Sequence, residues 1–240
     1  MAVKAAQMIA GVWTKPVKGL MLPGGRRPRT IQAGAFKGIR MSLDPSCQTQ
    51  VIMGLAEREV TRLLARLTNG IGTAVDIGVA EGEYAIYFLK KTSAKRVYAI
   101  EPSETAWRAI TENLELNQCT ADGRFIGMAK FAGSAVTDMV VRLDDLLKEP
   151  GHPVLVKLDV DGAEVDVLRG ARELLSSGDV RWIIETHSIE LERDVCSLLR
   201  NAGYKTRIVD NAWWRVLLPE HRAVAHNRWC LAWNPLTYEF

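Results

Sequence analysis

Through the central part of the chain, short apolar runs alternate with stretches in which apolar residues recur every three or four positions. The first pattern fits buried strands and the second amphipathic helices. It predicts strands over residues 74–77, 96–100, 123–127, 154–158, 181–185, 205–209 and 228–233, and helices over 82–91, 103–117, 163–176 and 189–201. Strands alternating with helices imply a parallel sheet covered on both faces. The last strand follows a loop, so the fold class is α/β: a doubly wound, mostly parallel seven-stranded sheet finished by an antiparallel hairpin.

Upstream the pattern changes. Residues 1–22 are fairly apolar but are interrupted by Lys4, Lys15 and Lys18, which suits a surface helix or arm. Pro23-Gly24-Gly25-Arg26-Arg27-Pro28-Arg29 reads as a solvated basic loop, with contact to an anionic partner left open. Residues 30–36 and 38–43 predict a hairpin turning at Lys37-Gly38, and 51–67 an amphipathic helix. The chain thus divides into an N-terminal arm and hairpin extension, 1–50, and a main domain, 51–240.

Composition narrows the class of function. A chain of 240 residues with 48% apolar residues can build one α/β domain with a full core. A net charge of +3 does not by itself predict nucleic-acid binding, and one short basic cluster without an appended RNA-binding module weighs against RNA. Cys47, Cys119, Cys196 and Cys230 form no CxxC pair and suit reduced thiols of a cytoplasmic protein. No run reaches the roughly 18 to 20 apolar residues of a membrane span. Whether the protein forms a homo-oligomer stays open.

The chemistry gathers at strand ends. Thr73-Ala74-Val75-Asp76-Ile77-Gly78-Val79-Ala80-Glu81-Gly82 reads as strand, tight turn and helix start. Glycines there let a ligand approach bare backbone, and the helix start favours an anionic group. A plain strand-to-helix turn is the alternative. The next strand ends in Glu101-Pro102, where a carboxylate can accept hydrogen bonds from both ribose hydroxyls. Nicotinamide and flavin enzymes use G-x-G-x-x-G, but here Ala80 stands where the middle glycine would be. An adenosine-containing cofactor without a diphosphate fits that turn better.

A second stretch, Val154 to Glu164, places Lys157 and Asp159 on one face of a strand, where they can pair at its carboxyl end. Asp161 and Glu164 have the spacing of helix caps, and a role in the site is the other reading. One strand later come Glu185, Thr186 and His187, at the matching end and beside Asp159 if consecutive strands are neighbours. His152 lies in a Pro-Gly loop with no such company.

Asp76-Ile-Gly-Val-Ala-Glu-Gly82, Glu101-Pro102, Val141 to Leu147, Lys157-x-Asp-x-x-Gly-Ala-Glu164, Val167 to Ala171 and Ile184 to His187 together resemble the FkbM family of S-adenosylmethionine (SAM)-dependent methyltransferases. The likeness runs from about Gly54 to the C-terminus. It implies the class I methyltransferase fold and O-methylation of a hydroxyl on a small molecule, a sugar or natural product. By position, Asp76, Gly78, Val79, Glu81 and Gly82 would line the methionine end, Glu101 and Pro102 the ribose, and residues near Met128 the adenine. Asp159 would lie by the sulfonium. Val79 and Ala80 replace the family's usual Ala-Asn, which removes one amide from the pocket.

His187 is the expected base, oriented by Glu185 or Asp159, with Lys157 in the same group. In a variant, Asp159, Asp161, Glu185 and His187 hold Mg2+. Trp213, Trp214, Trp229 and Trp233 flank a stretch, Leu217 to Asn227, with Pro219, His221, Arg222 and His226. These tryptophans suit an acceptor-binding face or core packing. A non-catalytic adenosine-binding protein and a nicotinamide-dependent oxidoreductase are the rival classes.

Overall fold

The structure, a computed structural model, describes residues 25–212 and 226–240. The expected helix or arm over 1–22 lies outside them, as do Trp213, Trp214, Pro219, His221 and Arg222. The described chain opens with an antiparallel pair, β1 (Arg27–Thr30) and β2 (Arg40–Leu43). The first strand therefore lies upstream of the predicted 30–36. The Ile31 N–H still bonds the Ile39 carbonyl at 2.9 Å, but Gln32 turns away to the Ile52 carbonyl.

The predicted helix over 51–67 is three short ones, α1 (Pro45–Met53), α2 (Arg58–Thr61) and α3 (Leu64–Leu67). Asp44 caps α1 by accepting from the Ser46 N–H, with Pro45 in the first turn. Gly54 ends it in a left-handed conformation, and a Cβ there would also lie 2.0 Å from the Ala33 carbonyl oxygen, so only glycine fits. Helix α1 crosses residue 50, where the sequence places the end of the extension. Ile31, Ile39, Met41 and Leu43 share one core with Leu64, Ile86 and Phe88, so residues 25–50 are built into the body of the fold.

From there the chain runs β3 (Thr73–Ile77), α4 (Glu83–Lys91), β4 (Arg96–Ile100), α5 (Glu104–Leu116), β5 (Phe125–Met128), β6 (Phe131–Ala132), β7 (Val140–Val141), α6 (Leu143–Leu146), β8 (Val154–Leu158), α7 (Glu164–Arg169), α8 (Arg172–Ser177), β9 (Val180–Thr186), α9 (Ile189–Asn201), β10 (Lys205–Val209) and β11 (Arg228–Trp233). All seven predicted strands enter one sheet, in the order β10-β11-β9-β8-β3-β4-β5. Six of them run in the same direction, and β11 runs antiparallel between β9 and β10. The α/β doubly wound, mostly parallel sheet with a closing hairpin is thus the observed fold. Alternate residues feed cores on opposite faces: Ala74 packs into one, Val75 and Ile77 into the other.

Two helical details differ from the pattern. The predicted helix over 163–176 breaks into α7 and α8 at Gly170, where a Cβ would lie 2.1 Å from the Gly133 carbonyl oxygen. The loop after β6 fills the space a continuous helix needs. The β6–β7 pair and α6 went unpredicted because elements of two to four residues show no periodicity. Trp229 is fully buried, and Trp233 stacks on Phe240 at the sheet end opposite the strand carboxyl termini. Both are packing residues. Among the described residues no helix is long and apolar enough to cross a membrane.

Candidate active site

β3, β4 and β8 end side by side, with Ile77 in register with both Ile100 and Leu158. The loops beyond them wall a cavity of about 560 Å3. Gly78 makes their approach possible: its φ is 76°, and a Cβ there would lie 1.7 Å from the Asp159 carbonyl oxygen. Ala80 is also left-handed, at φ 52°, and points its N–H at Glu101 Oε2, 3.3 Å away. The other Glu101 oxygen accepts from the Ser103 N–H at 3.0 Å, and Trp107 Nε1 donates to the Glu101 carbonyl at 2.6 Å. Each carboxylate oxygen keeps a second lone pair for a ligand.

Of the residues expected to bind a cofactor, Gly78, Glu101, Pro102 and Asp159 line this cavity. The others do not. Asp76 is fully buried beneath it, and Val79 belongs to the core. Gly82 lies against Ile110. Glu81 turns its carboxylate to Arg26 at 3.0 Å and Gln48 at 2.8 Å. Met128 is the last residue of β5, and the wall is made by Lys130, Phe131 and Ala132 after it. The cause is local: successive residues of the loop after β3 alternate in handedness, which throws neighbouring side chains to different sides.

The expected pairing of Lys157 with Asp159 is present at 3.5 Å, but the lysine does more beneath the cavity than in it. Its Nζ donates to the Gly78 carbonyl at 2.7 Å, lies 3.4 Å from Asp76, and sits over the Tyr84 ring. Burial alone would push its pKa down, yet Asp76 and Asp159 outweigh burial and hold it above the ordinary value. Burial in turn lifts the Asp76 carboxyl to about 6 against the pull of Lys157. Lys157 therefore ties the loop after β3 to β8.

His187 stands where β9 ends, facing four carboxylates. Nδ1 is 2.6 Å from Glu164 Oε1, while Nε2 is 3.3 Å from Asp161 and 3.5 Å from both Asp159 and Glu185. Each ring nitrogen thus faces acceptors, which suits an imidazolium with both nitrogens protonated. Its pKa is raised to about 10, first by the hydrogen bond to Glu164 and then by Glu185. A ring held this way steadies the carboxylates around it, and the base role expected of His187 requires that proton to leave first. The Glu185 carboxyl is lifted to about 7, first by burial and further by Asp159, with His187 opposing.

Asp161 and Glu164 have roles that their spacing hid. Helix α7 starts from Ala163 with no side-chain cap. Asp161 faces His187 instead. Glu164 does receive the Gly162 N–H at 3.3 Å, but its shorter bond is to His187 and the residue is fully buried. An acid in the first turn of a helix looks like a cap in sequence whether or not its far oxygen reaches another strand.

Asp159, Asp161 and His187 bring ligand atoms within 4.8 Å of one another. The expected Mg2+ does not fit them. It takes oxygen ligands in near-octahedral geometry, and the group offers two carboxylates and an imidazole nitrogen instead.

Comparison with known proteins adds an independent line. Residues 125–206 match the family model described as Methyltransferase FkbM domain. Over 174 residues the chain is 26% identical to hexuronic acid methyltransferase AglP of Haloferax volcanii, covering 63% of this chain and 71% of that protein. Methyltransferase FkbM from Methylobacillus flagellatus superposes with a TM-score of 0.53 at 20% identity, over 68% of this chain and 43% of that one. An rRNA methylase from Streptococcus thermophilus gives 0.50 at 13% identity, over 72% and 92%. The chain spans less than half the length of the first of these structures, and superposition at identities this low shows the shared fold alone.

Proposed function

Because residues 125–206 carry a Methyltransferase FkbM domain, we propose that this chain is a SAM-dependent methyltransferase that methylates an oxygen of a small hydroxylated acceptor. The observation that carries the reading is the cavity, which runs between the Gly78 and Asp159 end and Glu101 on neighbouring strand ends. A nucleoside with a charged group at its far side suits that layout. The relative named for hexuronic acid supports a sugar as the acceptor class, with a natural-product hydroxyl as the wider class.

SAM, when bound, supplies a methyl group on a positively charged sulfur, activated for in-line displacement. The chain must align the acceptor oxygen and take its proton. Glu101 is placed to receive ribose hydroxyls through its remaining lone pairs, beside Pro102. Asp159 supplies negative charge at the opposite end. His187 fixes the Asp159 and Glu185 carboxylates with its charged ring. Asp159, the member of this cluster that lines the cavity, takes the acceptor's proton, with Glu185, which titrates near neutrality, hydrogen-bonded behind it.

Calorimetric titration with SAM, S-adenosylhomocysteine and NAD tests the reading. The wild type is expected to bind the first two at micromolar concentration and to ignore NAD, and Glu101→Ala to lose at least about tenfold in affinity as two charge-assisted hydrogen bonds go. Binding of NAD alone would leave a nicotinamide-dependent oxidoreductase. Binding of SAM with no turnover on any sugar or hydroxylated acceptor would favour a non-catalytic cofactor-binding protein.

A further inference from the structure

Glu81 lies between the left-handed residues Ala80 and Gly82, and the groups that hold it come from outside its loop. Its carboxylate receives Arg26 Nη1 at 3.0 Å and Gln48 Nε2 at 2.8 Å. Its backbone carbonyl receives Asn113 Nδ2 at 2.8 Å. Asn113 is fully buried on α5, and its Oδ1 accepts the Ser42 N–H of β2 at 2.7 Å. One helical turn on, Asn117 grips the same strand, accepting the Arg40 N–H at 3.1 Å and donating to the Arg40 carbonyl at 2.6 Å. Hairpin, α1 and α5 therefore converge on one residue of the loop.

The loop does not hold this form by local preference. Three of its residues, Gly78, Ala80 and Gly82, have positive φ, and an alanine resists that conformation. Something must impose it. An exposed pair such as Arg26–Glu81 contributes little, whereas a fully buried amide used at both ends contributes more, because its loss strands an N–H and a carbonyl away from water. We infer that Asn113 and Glu81 are positioning residues for the cofactor, through which residues 26–48 clamp the loop between β3 and α4 in the shape that binding requires. The inference rests on the SAM reading. It assigns the N-terminal hairpin and α1 to the cofactor site, although neither lines the cavity.

The test uses the full chain and SAM itself. Asn113→Asp keeps the acceptor for the Ser42 N–H and removes the donor to the Glu81 carbonyl; Gln48→Ala and Arg26→Ala release the carboxylate from the surface. SAM affinity is measured by calorimetry, alongside thermal stability and amide exchange at Ser42. Asn113→Asp is expected to bind SAM about tenfold more weakly, and the double variant of Gln48 and Arg26 several-fold more weakly. In the wild type SAM should slow Ser42 exchange, by reciprocity between the two ends of the clamp, and in Asn113→Asp it should not. A purely structural role would lower thermal stability and leave both readouts unchanged. Folded variants that bind SAM within twofold of wild type would overturn the clamp; if Asn113→Asp fails to fold, the surface double variant decides. Wild-type protein that binds no SAM would overturn the methyltransferase reading and the clamp with it.

Discussion

A histidine ringed by Asp159, Asp161, Glu164 and Glu185 titrates far from neutrality, and pH makes its role visible. Its folded-state pKa, about 10, lies above the ordinary 6.5. The stability it contributes is therefore complete below about pH 6.5 and is lost as pH rises through 10. Glu185, raised from 4.5 to about 7, acts in the same direction at lower pH, costing stability as pH climbs from 4.5 to 7 and it must ionise. Turnover is expected to rise with an apparent pKa near 7 and to fall near 10. His187→Gln removes the cation and should move the acid limb of the kcat profile upward by about one unit. An unmoved limb would show that His187 does not set the Glu185 proton. At Ala80, with φ 52°, Ala80→Asn should raise the urea-unfolding free energy by about 0.5–1 kcal/mol, since asparagine tolerates this region better.

Among the elements, β3 and β8 depend most on a single position. Gly78→Ala would set a methyl group 1.7 Å from the Asp159 carbonyl and force the two strand ends apart. A loss of about 3 kcal/mol or more in denaturant unfolding is expected, together with loss of cofactor binding. The strand itself was legible in sequence, as were β8 and β9, because buried strands read as short, largely apolar runs even when a charge such as Asp76 or Lys157 interrupts them. What the sequence hid was contact at a distance. The helix over 51–67 breaks where Gly54 meets Ala33, and the one over 163–176 where Gly170 meets Gly133. Spacing along one segment carries no trace of a second segment pressed against it. The site divides in the same way: Gly78, Glu101 and Asp159 fall on strand ends that periodicity locates, whereas the Glu81 partners Arg26 and Gln48 and the His187 partner Glu164 come from elements whose docking only the fold reveals.

For the molecule as a whole, the sheet carries a core on each face, and one of these is completed by the hairpin. Ile31, Phe36, Ile39, Met41 and Leu43 are all buried there. Each contributes about 1.5–3 kcal/mol by leaving water, and together they rival the 5–15 kcal/mol of net stability typical of a domain. A chain starting at residue 51 is therefore expected to show no cooperative unfolding transition by circular dichroism. A sharp transition would mean that the hairpin is an independent addition.

The cavity has walls of unequal permanence. Its acidic end is anchored on β3 and β8, where every strand residue is buried, while its opposite wall is drawn from the surface segment around β6, with Phe131, Val136 and Met139 exposed on that stretch. Substitution in the first wall disturbs the core of the protein; substitution at the exposed Phe131 of the second disturbs little beyond the wall itself. Descendants of this chain can therefore drift in how they grip one end of a ligand while inheriting unchanged the charged end, so new binding preferences are reachable through Lys130 and Phe131 without first sacrificing the fold.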